Sequence, residues 1–340
     1  MSVDYRELQQ LIQTSQFELA IEQARLLLPE HSDDTELLYL LAVAQRFAKQ
    51  VSAAMTTINN ILSIRPTHSR AHQEAGYCYL LQGKTERARD AFKNATITNP
   101  ALLSAWLQLQ KLDNNTDTSA AIQEQINTLK ALPKMVLGAM DLMYEGKYAQ
   151  AESVCRQYLQ SDKHNPDAMC ILAELGVRTK VYDDALFLLE TCCQLHPTFE
   201  PAQRLLTELL HTLGQHHRAV SHAQRYYENH PNDSGMGATL ASCLIGVGKV
   251  EEGVTLYRKL LEQEPNRSGM YVQFGHALKA KGDIDDAIKH YQTAYTLNPG
   301  LGDAYWSLAN TKTYSFSDTE LTAMKAYADS AKGDDISRIQ

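Results

Sequence analysis

The sequence predicts an all-α fold, a solenoid of tandem helix–turn–helix repeats. Three observations carry that expectation. Prolines stand at 66, 100, 197, 231, 265 and 299, which are 34 residues apart except for one gap of 97, three repeats less five. In that frame small residues recur at two fixed offsets. Position 8 reads Leu8, Ala42, Gly76, Gln110, Ala139, Ala173, Thr207, Ala241 and Gly275, and position 20 reads Ala20, Ala54, Ala88, Ile122, Ala151, Ala185, Ala219, Gly253 and Ala287. Finally, Val, Ile and Thr nowhere alternate over a strand length, whereas apolar residues recur at helical spacing.

The clearest repeat is Ser268–Leu301. Tyr271, Phe274 and Leu278, then Ile288, Tyr291 and Leu297, give each of two helices an apolar face. Gly282 suits a left-handed turn between them, because only glycine enters that region without steric cost. Asp283 is placed to cap the second helix, and Asp285 and Asp286 stand where its dipole favours negative charge. Pro299 ends the pair, since it has no N–H to donate. Gly275 and Ala287 lie where the paired helices cross.

The same unit then sets the rest of the chain. Repeats begin near 1, 35, 69, 103, 132, 166, 200, 234 and 268, and a tenth starts near 302 and is abandoned. Position 15 is glycine in five of them, at 83, 146, 214, 248 and 282. The second repeat carries Lys49 there instead. The fourth is five residues short, with large residues at both crossing positions (Gln110 and Ile122) and a polar turn over 113–119. Helices are expected there over 102–112 and 120–132. After the tenth start, Ser317 with Glu320 three residues on reads as a capping box opening one more helix. The expected domains are a repeat array over 1–316 and a capping helix and tail over 317–340.

Bulk properties narrow the partners. The chain has 32 Lys and Arg against 40 Asp and Glu, a net charge of −8. That balance argues against nucleic acid or an anionic membrane as the main partner. No apolar run approaches the roughly 18 residues of a membrane span, so no membrane insertion is expected. The six cysteines are scattered without a C-x-x-C and read as reduced, buried thiols. With a polar start that is no signal peptide, the expected location is cytoplasmic.

A 34-residue helix–turn–helix with small residues at 8 and 20 and proline at 32 resembles the tetratricopeptide repeat family. The third repeat carries the resemblance well, through Gly76, Tyr79, Ala88, Phe92, Ala95 and Pro100. It implies a right-handed α-solenoid whose first helices line a concave groove that holds a protein or peptide segment. In that family positions 5, 9 and 12 face the groove. Here they give as binding candidates Tyr39, Val43, Gln73, Tyr77 and Met140, then Arg204, Glu208, His276, Lys279, Trp306 and Asn310. The first group is the more apolar and the second the more polar. No repeat pairs Lys at 5 with Asn at 9, as carboxylate-clamping members do, and the Asn ladder at position 6 of glycosyltransferase arrays is missing. The solenoid ends are free to self-associate.

A second resemblance covers 304–325, AYWSLANTKTYSFSDTELTAMK. It is similar to the junction in bacterial proteins that join a tetratricopeptide array to a sulfotransferase domain. The matching residues are Trp306, Ser307, Leu308, Ala309, Asn310, Lys312 and Thr313, then Phe316, Ser317, Asp318, Glu320, Ala323 and Met324. It implies that this chain is the docking region of a larger sulfotransferase whose catalytic domain follows residue 340. No catalytic, cofactor or metal residue is expected within 1–340. The stretch Pro265–Gly269 resembles a phosphosulfate-binding loop, but a helical pattern precedes it where such a loop needs a strand. His211, His216, His217 and His222 cluster about one turn without flanking cysteines, and read as a solvated turn.

Overall fold

The structure, a computed structural model, describes residues 5–113 and 116–328 of the chain, without the side chains at 116, 117 and 328. Expectations for the middle of the 113–119 turn and for the tail past 328 lie outside the described residues. Those residues form twenty α-helices and one short 3-10 turn, with no strand among them. They divide into two compact units, the first ending at Leu175 and the second beginning at Gly176.

In the first unit α1 (Arg6–Gln13) and α2 (Phe17–Leu27) form one hairpin, and α3 (Thr35–Phe47) and α4 (Val51–Ile64) the next. Then come α5 (Ser69–Leu81) with α6 (Thr85–Thr98), and α7 (Leu103–Leu112) with α8 (Thr116–Ala131). The last are α9 (Lys134–Tyr144) with α10 (Tyr148–Ser161), and α11 (Pro166–Arg178), inside which the division falls. The second unit holds α12 (Tyr182–Leu195), α13 (Glu200–Thr212), α14 (His216–Asn229), α15 (Ser234–Gly246) and α16 (Val250–Gln263). It continues through α17 (Ser268–Lys281), α18 (Ile284–Leu297), α19 (Gly302–Ala309) and α20 (Asp318–Ala328). Successive helices pack on one another from α1 to α8 and from α12 to α19. Alternate helices also touch, as α3 does α5, and as α13, α15, α17 and α19 do in turn. Stacking of that kind is the repeat solenoid, in which each pair buries its apolar face on its neighbours.

Backbone turns recur at one position of the 34-residue spacing. Eight left-handed residues, Ser15, Lys49, Gly83, Gly146, Lys180, Gly214, Gly248 and Gly282, sit at position 15, and a ninth, Lys312, lies outside that frame after α19. At each of the eight the N–H of the next residue reaches back across the turn, as in Gln50 to Gln45 (2.8 Å) and Asp283 to Leu278 (2.9 Å), which closes the helix end. Three of the eight are therefore not glycine and hold a Cβ where it crowds the carbonyl. Lys180→Gly is expected to raise the unfolding free energy by up to about 1 kcal/mol, less the extra freedom glycine gives the unfolded chain. A urea midpoint checks it.

Crossing positions are buried in every described pair except the fourth. Ala42, Ala139, Ala173, Ala241 and Thr207 are fully buried at position 8, and so are seven alanines at position 20. An added Cβ at Gly253 would lie 2.7 Å from the Ala241 carbonyl oxygen, so the backbones there touch. At Gly275 the structure modifies the expectation. What fills the space is the Tyr291 ring, 2.4 Å from where a Cβ would stand, and not Ala287. Gly76 meets Phe92 in the same way at 2.7 Å.

Two further expectations are corrected. Asp283 makes no side-chain cap; its carboxylate instead pairs with Lys281 at 3.1 Å. Leu297 stays 40% exposed, since α18 turns that residue away from α17. Side-chain caps elsewhere include Asp34, which accepts from Glu36 and Leu37 N–H (2.9 and 3.2 Å), His68, which accepts from Ala71 N–H (3.2 Å), and Asp233, which accepts from Met236 N–H (2.9 Å).

The five-residue deletion is absorbed at α7, which has 10 residues where α3, α5, α13 and α15 have 13, and after α8. Only Leu132 and Pro133 separate α8 from α9, where four residues join the other described pairs from α4 onward. Ile122 and Gln110 are half-buried and the crossing is correspondingly looser. At the other end the capping box forms as read. Ser317 N–H donates to Glu320 (2.8 Å) and Glu320 N–H to the Ser317 hydroxyl (3.3 Å). Tyr295 also donates to Glu320 (2.7 Å), and the Tyr314 hydroxyl with the Ser317 bonds holds that carboxyl down to about 2.

Candidate functional site

The inner face of each unit is built from the first helices of its pairs. In the first unit that face is occupied by the chain itself. Arg70 on α5 pairs with Asp141 and, at 3.5 Å, with Glu145, both from the α9 segment. Ser69 donates to Glu145, and Asn99 donates to Asp141 (2.8 Å) and Glu145 (3.2 Å). Lys147 reaches Glu36 on α3 at 3.1 Å. The C-terminal end of α9 and the turn after it thus reach back to α3 and α5.

The sequence-derived candidates in this unit are accordingly engaged. Val43 and Gln73 are buried, and Gln73 accepts from Ser104 at 2.9 Å. Tyr39 lies against His68, with ring centroids 6.0 Å apart, and burial beside Glu74 pushes its hydroxyl up to about 12. Tyr77 packs edge-on to Phe92, and the Arg46 guanidinium lies 4.9 Å from its ring centre. Arg46 also pairs with the buried Glu74. Met140 is half-buried on α9.

In the second unit the inner face stays open. Between α13, α15 and α17 lies a cleft of about 350 Å³, with His211, Ala238, Ser242, Ile245 and His276 from the groove positions along it. Thr239 and Gln273 at position 6 line it too, with Gly235, Ala277, Tyr257 and Arg267. The Tyr257 hydroxyl donates to the Ala238 carbonyl at 3.1 Å, closing the floor. His211 contacts the Ser242 hydroxyl at 2.9 Å and His276 contacts that of Ser307 at 2.9 Å. Burial lowers the pKa of both imidazoles, with His216 and Lys279 adding to the respective shifts. Both are therefore neutral at neutral pH.

The cations around this cleft are already paired. Arg204 bonds Glu208 (3.0 Å) and Asp233 (3.3 Å), and Arg267 bonds Glu264 (3.1 Å) and the Ser234 hydroxyl (2.5 Å). What the cleft offers is a row of neutral groups that can both donate and accept. Lys279 donates to the Asn310 carbonyl at 3.1 Å, which gathers His276, Lys279 and Asn310 at one end, where Trp306 is 52% exposed. Arg204 and Glu208 form a second group as one ion pair. A larger, shallower groove of about 580 Å³ lies on the opposite face of α15, over Leu240 and Leu244, with a charged rim.

Sequence reading selected His276 from this cleft but not Gly235, Thr239, Tyr257, Arg267 or Gln273. The signal for Thr239 and Gln273 was their shared position 6. Gly235 and Arg267 sit at repeat boundaries, where only the packing of successive pairs brings them inward. Pro265, Asn266 and Arg267 lie in the turn between α16 and α17, and Ser268 and Gly269 open α17. Among the described residues, no helix is long and apolar enough to cross a membrane. Four cysteines are buried, Cys170 and Cys193 are half-buried, and all six are free thiols.

The tetratricopeptide repeat family model matches residues 268–301, the stretch from which the frame was read. No curated protein matches the sequence. Among solved structures, a double mutant of MamA from strain RS-1 is similar at 16% identity and a TM-score of 0.46, over 50% of this chain and 97% of that one. MamA from residue 41 onward of Desulfovibrio magneticus RS-1 has the same identity and score, over 50% and 98%. MamA of AMB-1 reaches 20% identity and 0.45, over 50% and 100%.

Proposed function

We propose that this tetratricopeptide-repeat chain is a non-catalytic scaffold that holds a peptide or protein segment in the cleft between α13, α15 and α17. The observation that carries the reading is that cleft's composition. Neutral His, Ser, Thr and Gln side chains line a slot on the repeated inner face, and they match the alternating N–H and C=O groups of an extended peptide. Paired arginines at the rim leave little net charge to select a strongly anionic ligand. Trp306 at one end supplies an exposed aromatic anchor of the kind that dominates peptide affinity.

The test is selection from a displayed random-peptide library on the full chain, followed by affinity measurement on Gln273→Trp. That exposed position lets the indole fill the cleft without disturbing the core. Selected peptides are expected to bind the variant at least about tenfold more weakly, a loss of about 1.4 kcal/mol. Equal affinity for a variant of unchanged helicity would place the ligand elsewhere.

A second reading makes the array the docking half of a larger sulfotransferase. It is favoured by the sequence at 304–325 and by the capping box at Ser317 and Glu320 that closes that segment. Coding sequence beyond residue 340 tests it. A strand followed by a phosphosulfate-binding loop supports it, and a stop codon directly after residue 340 rejects it.

A further inference from the structure

We propose that His211, His216 and Cys243 form a metal-binding site, and that it takes zinc(II). One ligating atom from each lies within 4.8 Å of the other two. The residues come from three successive helices of the second unit, the end of α13, the first residue of α14 and the last turn of α15. Rigid elements of that kind hold a ligand set in place.

Four features distinguish this group from a chance cluster. First, the His216 Nδ1 atom is buried and has no hydrogen-bond partner among the described residues. A buried polar atom left so costs about 1–3 kcal/mol, and a metal ion would satisfy it. Second, the His216 ring rests on the backbone of Gly246, where a Cβ would lie 2.3 Å from its Cδ2, so glycine makes room for the ring at this point. Third, His211 is oriented by the Ser242 hydroxyl at 2.9 Å, a partner of the type that fixes ligating imidazoles. Fourth, Cys243 is fully buried, so its sulfur is shielded from other chemistry.

The donor set selects the ion. Two imidazoles and a thiolate suit zinc and other borderline or soft metals, and disfavour magnesium and calcium. Zinc bonds of about 2.0–2.3 Å set tetrahedral ligands about 3.5 Å apart, so the group closes by about an ångström on binding. Three protein ligands leave a fourth position for water. Binding releases the thiol proton of Cys243, because the thiolate is the ligating form.

The experiment uses the full, reduced chain stripped with a chelator. Zinc is titrated against a chromogenic competitor, and cobalt(II) is added separately to read the thiolate-to-metal charge-transfer band. Wild type is expected to bind one ion per chain and to show that band. Cys243→Ser should abolish the band, and His216→Ala and Gly246→Ala should each weaken zinc binding at least about tenfold. Cys78→Ser and His217→Ala should match wild type. Because Cys243 is buried, His216→Ala at a half-buried position gives a second reading if the serine variant does not fold. Absence of the charge-transfer band from the folded wild type overturns the site, as does zinc affinity unchanged in folded His216→Ala.

Discussion

Arg46→Ala is expected to lose about 3–5 kcal/mol of unfolding free energy at neutral pH, the cost of leaving a buried charge without its partner. Glu74 is 3% exposed, and its carboxylate is met by Arg46, whose second bond to it spans 3.3 Å. The guanidinium is itself held between the Phe47 and Tyr77 rings, at 4.1 and 4.9 Å from their centres. Burial raises the Glu74 carboxyl above its ordinary range, and Arg46 opposes that rise. Removing Arg46 therefore pushes the folded-state carboxyl further up. A group raised in the folded state contributes stability below its unfolded value and loses it as pH rises through the folded value. The deficit of the variant should accordingly narrow between neutral pH and about pH 5. Urea unfolding at both values, followed by circular dichroism, checks size and sign together.

Gly275→Leu is expected to cost about 1–3 kcal/mol through overpacking, more than the 0.5–1 kcal/mol or so that a helix gains on losing a glycine. The Tyr291 ring stands where the new side chain would begin and is itself fully buried, so neither partner can step aside. Gly269 on the same helix provides the contrast. It is exposed, with nothing within 4 Å of an added Cβ. Gly269→Ala should stabilise by about 0.5–1 kcal/mol. Thermal midpoints of opposite sign for two glycines six residues apart would tie the effect to the helix crossing rather than to glycine itself.

These two sites show what was legible in advance. The crossing at Gly275 followed from a small residue recurring every 34 positions, because helix pairs must approach closely somewhere. The identity of its neighbour did not follow, since Tyr291 reads only as one more apolar residue. The turns at position 15 were visible where glycine marks them and hidden at Ser15 and Lys180, where the neighbouring pairs impose the left-handed backbone on an unfavourable residue. The contraction of the fourth repeat could be counted, but its consequence could not. That Asp141 and Glu145 at the end of α9 would pair with Arg70 on α5 depends on the direction in which a two-residue link points. The proposed metal ligands were half visible: the histidines cluster in sequence, whereas Cys243 is 32 residues past His211 and joins them only when one pair stacks on the next.

In the first unit, side chains of the chain itself meet across the inner face, and the ligand is proposed to lie in the cleft of the second. A double-mutant cycle on Arg70 and Asp141, which are 71 residues apart in sequence, tests that meeting most directly. If the end of α9 meets α5, Arg70→Ala and Asp141→Ala should be non-additive in unfolding free energy by about 1 kcal/mol or more. Effects that add to within about 0.3 kcal/mol would mean that the two side chains do not meet, and that the first unit's inner face is open.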